Sequence, residues 1–401
     1  GMQYLTNYAF QNKSKVEALF FYHNSVRYRY GGVPDSSAYP NLNFEQKLNH
    51  FGTQIGWFDL NRVHRKVYFK PVLAFEYAKV LENASSTWLS IKSPLYYQMK
   101  NNSRFNFNIN YDLSVNHTST SVQQNNSILK FDPSIELHKW NTQLLVGISP
   151  VWLNTSTYKI YPNLYFQKQL KDTNYLVKSG WNTNFINNHY GNIVISNPWI
   201  APILDMKATT LEKKFIDLEI SSSKRLNYTL GLALNDYRNL VLFNRIIEPE
   251  IFKHGLKYQA LFEPRAITLE VNASMRYQFS ERILIHNSFK YLQFNSIKEN
   301  AKPWGVLPLE IKSNLIWVPN RKWSIDAGMH YWTGSTQLDQ NNKVTNLKNT
   351  LVLQAGFNYK LSNNWTAWAK GDNLLDKPYE RWGNYPSLGV QIIAGIIYSF
   401  K

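Results

Sequence analysis

A few side chains in this sequence have the types that nucleophilic catalysis uses. His286 and Ser288 alternate with Asn287 in RILIHNSFK, so they share one face of a predicted strand, where an imidazole could activate a hydroxyl. Because the pattern supplies no acid to orient the imidazole, we interpret both as ordinary polar wall residues. Asp326 and His330 also share a face, but four strand residues separate them by roughly 13 Å, too far for a hydrogen bond. Partners from neighbouring strands stay open for both pairs.

Other residues suited to ligand or metal binding lie in predicted loops or near strand ends. His189, in NNHYG, falls in a long loop, and we expect its side chain to be exposed to solvent. No spacing matches a zinc or EF-hand site, and the chain has no cysteine, so we predict no cofactor, no metal and no enzymatic activity. Anchoring at a membrane interface is favoured over ligand stacking for Trp152, Trp181, Trp199, Trp304, Trp332 and Trp382.

The segments that hold such residues show a period of two. From Arg104 to Asn116 the odd positions from Phe105 to Val115 are apolar, and the even positions are polar: Asn106, Asn108, Asn110, Asp112 and Ser114. The pattern recurs at 228–235, 269–279, 351–361 and 390–400. Successive side chains of a strand point to opposite faces, so each segment is predicted to be a strand with one apolar and one polar face. The helical period of 3.6 is absent over any long window.

The composition departs from that of ordinary globular proteins. Aromatic residues make up 15% of the 401 residues and charged residues only 18%, below the usual quarter. The formal net charge is +17, but lysine and arginine are spread along the chain without a basic cluster, so we expect no nucleic-acid partner. No apolar stretch approaches the roughly 20 residues of a membrane helix, and no signal peptide is visible.

Connection lengths alternate between short and mostly long, as in outer-membrane barrels with short periplasmic turns and long outer loops. We therefore predict an all-β fold, a transmembrane antiparallel β-barrel of about 18–20 strands, in one domain over residues 1–401. Apolar faces would contact lipid, and a watery lumen would be lined by Asn106, Asn108, Asn110, Asp112, Glu270, Asn272 and Arg276. Segment 2–11 would run inward like the last strand. Either it lies outside the barrel or further strands precede it, as in a barrel of about 22 strands.

The C-terminal stretch WAKGDNLLDKPYERWGNYPSLGVQIIAGIIYSFK resembles the end of TonB-dependent receptor barrels. The matching residues are Asn373, Leu374, Leu375, Asp376, Lys377, Tyr379, Tyr398, Ser399 and Phe400. Lys401 departs from the pattern, because the assembly signal usually places the aromatic residue last. The likeness is good over 170–401, and the richness in Asn, Tyr and Lys is similar to that of Bacteroidetes outer-membrane proteins.

This resemblance implies a transport protein of the cell outer membrane that takes up a bulky nutrient. The family's N-terminal plug and TonB box are not visible in the sequence, and we expect both, with the signal peptide, to lie outside it. The implied partners are outer-membrane lipid, lipopolysaccharide, TonB through the plug, and a surface lipoprotein. A plugless porin-like channel, an outer-membrane barrel enzyme and a soluble secreted sandwich stay as alternatives. The transported substrate is not specified by these residues.

Overall fold

The computed structural model describes residues 2–9, 14–28, 45–59, 66–80, 84–100, 102–118, 123–154, 156–170, 174–203, 205–246, 257–339 and 341–399. The first half contains β1 Met2–Ala9, β2 Ser14–Tyr28, β3 Glu45–Asp59, β4 Val67–Phe69, β5 Val72–Lys79, β6 Ser85–Gln98, β7 Arg104–His117, β8 Gln123–Lys139, β9 Thr142–Leu153, β10 Thr157–Gln169, β11 Tyr175–Ile186 and the helix α1 Tyr190–Ser196.

The second half is again almost entirely β. It contains β12 Thr209–Ser223, β13 Leu226–Arg238, β14 Leu240–Arg245, β15 Tyr258–Glu263, β16 Ala266–Ser280, β17 Ile283–Ile297, β18 Leu309–Trp317, β19 Trp323–Trp332, β20 Thr336–Leu338, β21 Val344–Asn346, β22 Thr350–Lys360, β23 Trp365–Asp372, β24 Glu380–Trp382, β25 Tyr385–Pro386 and β26 Gln391–Tyr398. Among the described residues, no helix is long and apolar enough to cross a membrane.

One antiparallel sheet of 20 strands dominates the molecule, as the sequence predicted. Strands β4 and β5 are two parts of one pass, interrupted at Lys70 and Pro71, since both pair with β6. The sheet is therefore an up-and-down meander of nineteen passes, in which each pass except the first and the last pairs with the passes before and after it in the chain. The six remaining strands form three small hairpins: β14 with β15, β20 with β21, and β24 with β25.

The meander sorts its connections by length. One end of the sheet, the turn end, carries tight links such as 140–141, 224–225 and 281–282. The other end, the loop end, carries α1 and the three small hairpins. This sorting matches the alternation predicted from the sequence, although the regular structure within the long loops was not predicted.

The two faces of the sheet differ as period-two strands require. On β13, Leu230 and Leu232 are 51% and 50% exposed, and they point away from the polar side chains of the sheet. On the opposite face, Gly231 lies between Asp217 of β12 and Asn272 of β16. A Cβ atom at Gly231 would collide with oxygen atoms of both neighbours, so glycine is required where these polar side chains converge.

Long-range packing shows that the sheet curls around on itself. Leu48 lies on β3, near the start of the meander, yet it shares a buried cluster with Trp382, in the connection before the last strand. Elements so far apart in strand order can meet only if the sheet bends into a barrel. The apolar side chains then cover the outside and the polar face surrounds the lumen.

The first and last passes, β1 and β26, run in the same direction. Each pairs on one side only, β1 with β2 and β26 with β23, and no ladder joins these two edges among the described residues. An antiparallel closure between two parallel edges needs an odd number of intervening strands. Open edges are costly inside a bilayer, where nothing else satisfies backbone N–H and C=O groups.

Candidate functional site: the polar lumen and its cap

Ion pairs cross the polar face of the sheet from strand to strand. Glu136 is buried and receives hydrogen bonds from both Arg104 and Asn106. Glu270 pairs with Lys213 at 3.1 Å between Nζ and Oε1. Further pairs on this face are Lys178 with Glu219, Lys130 with Asp132, Lys312 with Glu310, and His50 with Glu76. Paired charges and amides hold a polar surface that water or a polar solute can wet.

The residues predicted to line the lumen take part in this surface in different ways. Asn106 is buried and donates from Nδ2 to Glu136, while Asn110 Nδ2 lies 3.3 Å from Asp132 Oδ2. Asn108 pairs in register with Asp132, and Asp112 lines a cavity described below. On β16, Glu270 binds Lys213, Asn272 flanks Gly231 and Arg276 is exposed. That all seven contact a passing solute stays a prediction.

The long loops fold together into a structure that we call the cap. It comprises α1 with residues 197–203 and 205–208, the hairpins β14–β15, β20–β21 and β24–β25, and the loop 298–308. Its core is a cluster of buried apolar residues: Leu48, Val80, Ala84, Tyr190, Ile193, Val194, Ile200, Ile203, Met206, Phe243, Tyr258, Trp382 and Tyr385. Because this core contains both loop residues and strand ends, it fixes the cap across the loop end of the barrel.

Tyr258 is the point at which three cap segments meet. Its hydroxyl lies 3.0 Å from both Gln337 Oε1 and the Gly383 carbonyl, so it connects the three hairpins β14–β15, β20–β21 and β24–β25. Its ring contacts Trp382 edge-on. Burial raises the pKa of Tyr258, which therefore stays a neutral hydrogen-bond donor at physiological pH.

Two arginines of the cap lack carboxylate contacts among the described residues. Arg245 is buried and donates from Nη1 to Asn384 Oδ1 at 3.1 Å, and its Nε has no partner. Arg381 is partly buried, donates from Nη2 to the Gly305 carbonyl at 3.0 Å and lies over the Trp382 ring, and its Nη1 has no partner. Burial lowers the pKa of Arg381 to about 10, which still leaves it charged at neutral pH.

A cavity of about 570 Å³ lies beneath α1, between the cap and the barrel wall. Its lining includes His50, Glu76, Trp88, Asp112 and His189. The expectation that His189 is exposed was wrong: it is 5% exposed and stacks on the Trp88 ring, with centroids 5.5 Å apart and planes 13° apart. Burial lowers the pKa of His189 to about 4, with His50 acting in the same direction and Glu76 against it. The loop folds inward, which the local sequence did not indicate.

Two smaller cavities lie next to each other on the barrel wall, at strands β17 and β18. One, of about 260 Å³, is roofed by the cap residues Trp304, Arg381 and Trp382, and the other, of about 280 Å³, continues along the wall. Both are lined by Lys290 and Glu310. Glu310 already contacts Lys312 at 3.3 Å and His330 at 3.2 Å.

The tryptophans divide into two groups. Trp304, Trp332 and Trp382 are buried, and Trp199 stacks on Tyr385 with ring centroids 4.2 Å apart, so the expectation of membrane-interface anchoring was wrong for these four. Trp199 and Trp382 stabilise the cap by aromatic packing, and Trp332, at the end of β19, contacts the ring of Tyr379. Trp152 and Trp181 lie on strands, where Trp152 contacts Tyr158 and Trp181 donates to Glu212.

The C-terminal motif closes the last long loop. Asn373 is buried and its Nδ2 lies 3.1 Å from the Lys377 carbonyl and 2.9 Å from the Leu388 carbonyl, which ties the two ends of the loop together. Asp376 accepts from the Val390 amide at 3.0 Å. Further along the loop, the Tyr379 ring packs edge-on against Trp332. Leu374 is exposed, and Phe400 lies outside the described residues.

The two candidate catalytic pairs are not assembled into a relay. In the described structure His286 and Ser288 make no side-chain hydrogen bond, and their register partners on β18 are Asn314 and Lys312. His330 contacts Glu310 rather than Asp326. Asp326 lies beside Gly356, with no described histidine in contact. Within the described residues, no group of three or more histidine and acidic side chains could hold a metal ion.

Comparison with solved structures finds the same fold in siderophore receptors and a copper transporter. A mutant form of the ferric enterobactin receptor PfeA from Pseudomonas aeruginosa matches 99% of this chain and 69% of its own, with a TM-score of 0.70 and 13% identity. The siderophore receptor PirA from Acinetobacter baumannii matches 100% and 71%, with a TM-score of 0.69 and 13% identity. The copper transporter OprC matches 96% and 69%, with a TM-score of 0.64 and 12% identity.

No protein-family model and no curated protein sequence matches the chain. At 12–13% identity, the structural likeness establishes the fold and leaves ligand and mechanism to the residues of this chain.

Proposed function

We propose that this chain is the barrel of an outer-membrane transport protein of TonB-dependent receptor type, which takes up a bulky nutrient under the control of its cap. The observation that carries the proposal is the combination of a polar lumen with a cap that packs across one end. A polar lumen provides a path for a hydrophilic solute. A cap with its own apolar core prevents that path from being a permanently open pore.

The fold shared with two siderophore receptors and a copper transporter supports this assignment, because receptors and transporters of such ligands use the same barrel. We infer the outer membrane as the location, with lipid and lipopolysaccharide around the apolar face and the loop end outside the cell. TonB, acting through a plug, is the proposed source of energy. Only the sequence resemblance supports a surface lipoprotein as partner and a Bacteroidetes origin.

Conductance in planar lipid bilayers tests the capped-barrel proposal. The intact protein should show little passive ion current, because the cap obstructs the lumen. Replacing Tyr258 by Ala should raise the current, since the hydroxyl contacts to Gln337 and Gly383 are lost. Tyr359→Ala, on the sheet at the turn end, is the matched control and should leave the current low.

The plugless porin-like channel is the second candidate, favoured by the wide polar wall. A large, steady current through the unmodified protein would select it and reject cap control. Energy coupling is tested separately in cells, by uptake with and without a protonophore. Ferric enterobactin, a second ferric siderophore and copper form the first panel of solutes, because the structural relatives are named for such ligands.

A further inference from the structure

The two adjoining cavities at β17 and β18 contain more positive than negative charge. Lys290, Lys312 and Arg381 line them, and Glu310 is the one carboxylate that lines either cavity in the described structure. Glu310 is engaged by Lys312 and His330. The negative charge of Glu310 is therefore already engaged by these two neighbours, which leaves little of it to pair with Lys290 and Arg381.

Within this group of cations, Lys290 and Arg381 are left without an ion-pair partner among the described residues. Lys290 lies opposite Glu310 in the register of β17 and β18, but no ion pair joins them, and Glu310 is already engaged by Lys312 and His330. The acid on the other side of Lys290, Glu270 of β16, is bound by Lys213. Arg381 is fixed in place by the Gly305 carbonyl and the Trp382 ring, which orient the guanidinium but supply no negative charge. A guanidinium with a buried, unpaired Nη1 is a costly arrangement unless an anion completes it.

The geometry points to an oxyanion site, in which Lys290 and Arg381 hold a carboxylate or phosphate group of the transported solute. This inference rests on the proposed function, since it assigns a chemical class to the solute. An arginine binds such groups through two parallel N–H donors, and a lysine adds a mobile point charge. Burial lowers the pKa of Arg381, and the attraction of Glu310 offsets only part of this effect.

The position of the site gives it a role in uptake. Lys290 belongs to the wall, whereas Arg381, Trp304 and Trp382 belong to the cap. A bound anion would therefore contact both, and its affinity would depend on how the cap sits on the wall. Lys290 is exposed on the polar face, which directs the site toward solutes in the lumen rather than toward lipid.

Inorganic phosphate titrated into the intact protein in detergent micelles, with sodium chloride at equal ionic strength as reference, tests the site. Calorimetry and the fluorescence of the tryptophans that line the cavity report binding. We expect saturable phosphate binding that weakens about tenfold or more in Lys290→Gln and in Arg381→Gln. Arg265→Gln is the matched control, because Arg265 is exposed and pairs with Asp236, and it should bind as the unmodified protein does.

Two results would overturn the assignment: phosphate binding no stronger than that of chloride, or equal binding in Lys290→Gln. Because Lys290 is exposed, its variant decides the question even if Arg381→Gln does not fold. Binding of purified lipopolysaccharide that is weakened in Lys290→Gln, with no binding of free phosphate, would assign the site to lipid and reject a solute. If phosphate does not bind but the bilayer current of the unmodified protein is low, the oxyanion site is rejected and the capped barrel is retained. If phosphate binds as expected but the current is high, only control by the cap is rejected.

Discussion

The imidazole of His189 lies parallel to the indole of Trp88, with ring centroids 5.5 Å apart, and this contact docks the start of α1 on the barrel wall. His189 belongs to the cap and Trp88 to β6. Gly191 completes the contact, because a Cβ atom there would lie 2.9 Å from the His189 ring and 3.3 Å from His50 Nε2. The cap is therefore seated on the wall at a point where a histidine is kept neutral by burial.

Acidification should weaken this docking. The pKa of His189 falls from the ordinary value of about 6.5 to about 4 in the folded state, so between these pH values only the undocked histidine takes up a proton. The docked state should lose about 3 kcal/mol as the pH falls from about 6.5 to about 4, and nothing further below that. Hydrogen exchange of residues 187–196 against pH measures the loss. His189→Gln should flatten the profile, and an unchanged slope in that variant contradicts the assignment to His189.

Glu263 should be the strongest single anchor of the loop 298–300. Its fully buried carboxylate accepts from the backbone amides of Lys298, Glu299 and Asn300 at 2.9 to 3.1 Å. Glu263→Gln removes the charge from these bonds and should cost about 1.5–3 kcal/mol. Chemical unfolding in the same detergent measures it. The exposed Glu299→Gln is the control, and equal losses in the two variants would show that burial of the carboxylate is irrelevant.

The two faces of β16 should tolerate charge differently. Val271 pairs with Leu232 and Tyr291 on the apolar face, and Asn272 pairs with Gly231 and Lys290 on the polar face. Val271→Arg should cost about 2–4 kcal/mol near the bilayer centre, and Asn272→Arg at most about 1 kcal/mol. Refolding stability of both variants in one lipid is the measurement. Greater damage from Asn272→Arg would mean that the polar face is sealed from water.

The proposed orientation places the loop end outside the cell. Asn341, in the loop between β20 and β21, is exposed and serves as the reporter for the loop end. A cysteine at Asn341 should react with an impermeant thiol reagent on intact cells, and a cysteine at the exposed turn residue Asn363 should react only after permeabilisation. The chain has no native cysteine to interfere. The reverse pattern would invert the topology.

The sequence alone determined the sheet. Period-two alternation, as in 104–116 and 269–279, decides which side chains share a face, because neighbouring residues of a strand must point to opposite sides. The alternation of short and long connections predicts that consecutive strands pair with one another in a meander. The nineteen passes of the sheet agree with the predicted number of about 18–20 strands, since these signals are local and each strand carries its own.

Only the tertiary structure decided the cap. His189, Tyr258 and Arg381 lie in segments that the sequence pattern predicts as long loops, and the residues beside them do not indicate that their side chains are withdrawn from solvent. Their environment comes from segments far along the chain, such as Gly383 for Tyr258 and Trp88 for His189. The same holds for the oxyanion site, where Lys290 and Arg381 are 91 positions apart in the numbering. Contacts between loops depend on how the barrel curves, and the period-two alternation of side chains along a strand does not specify that curvature.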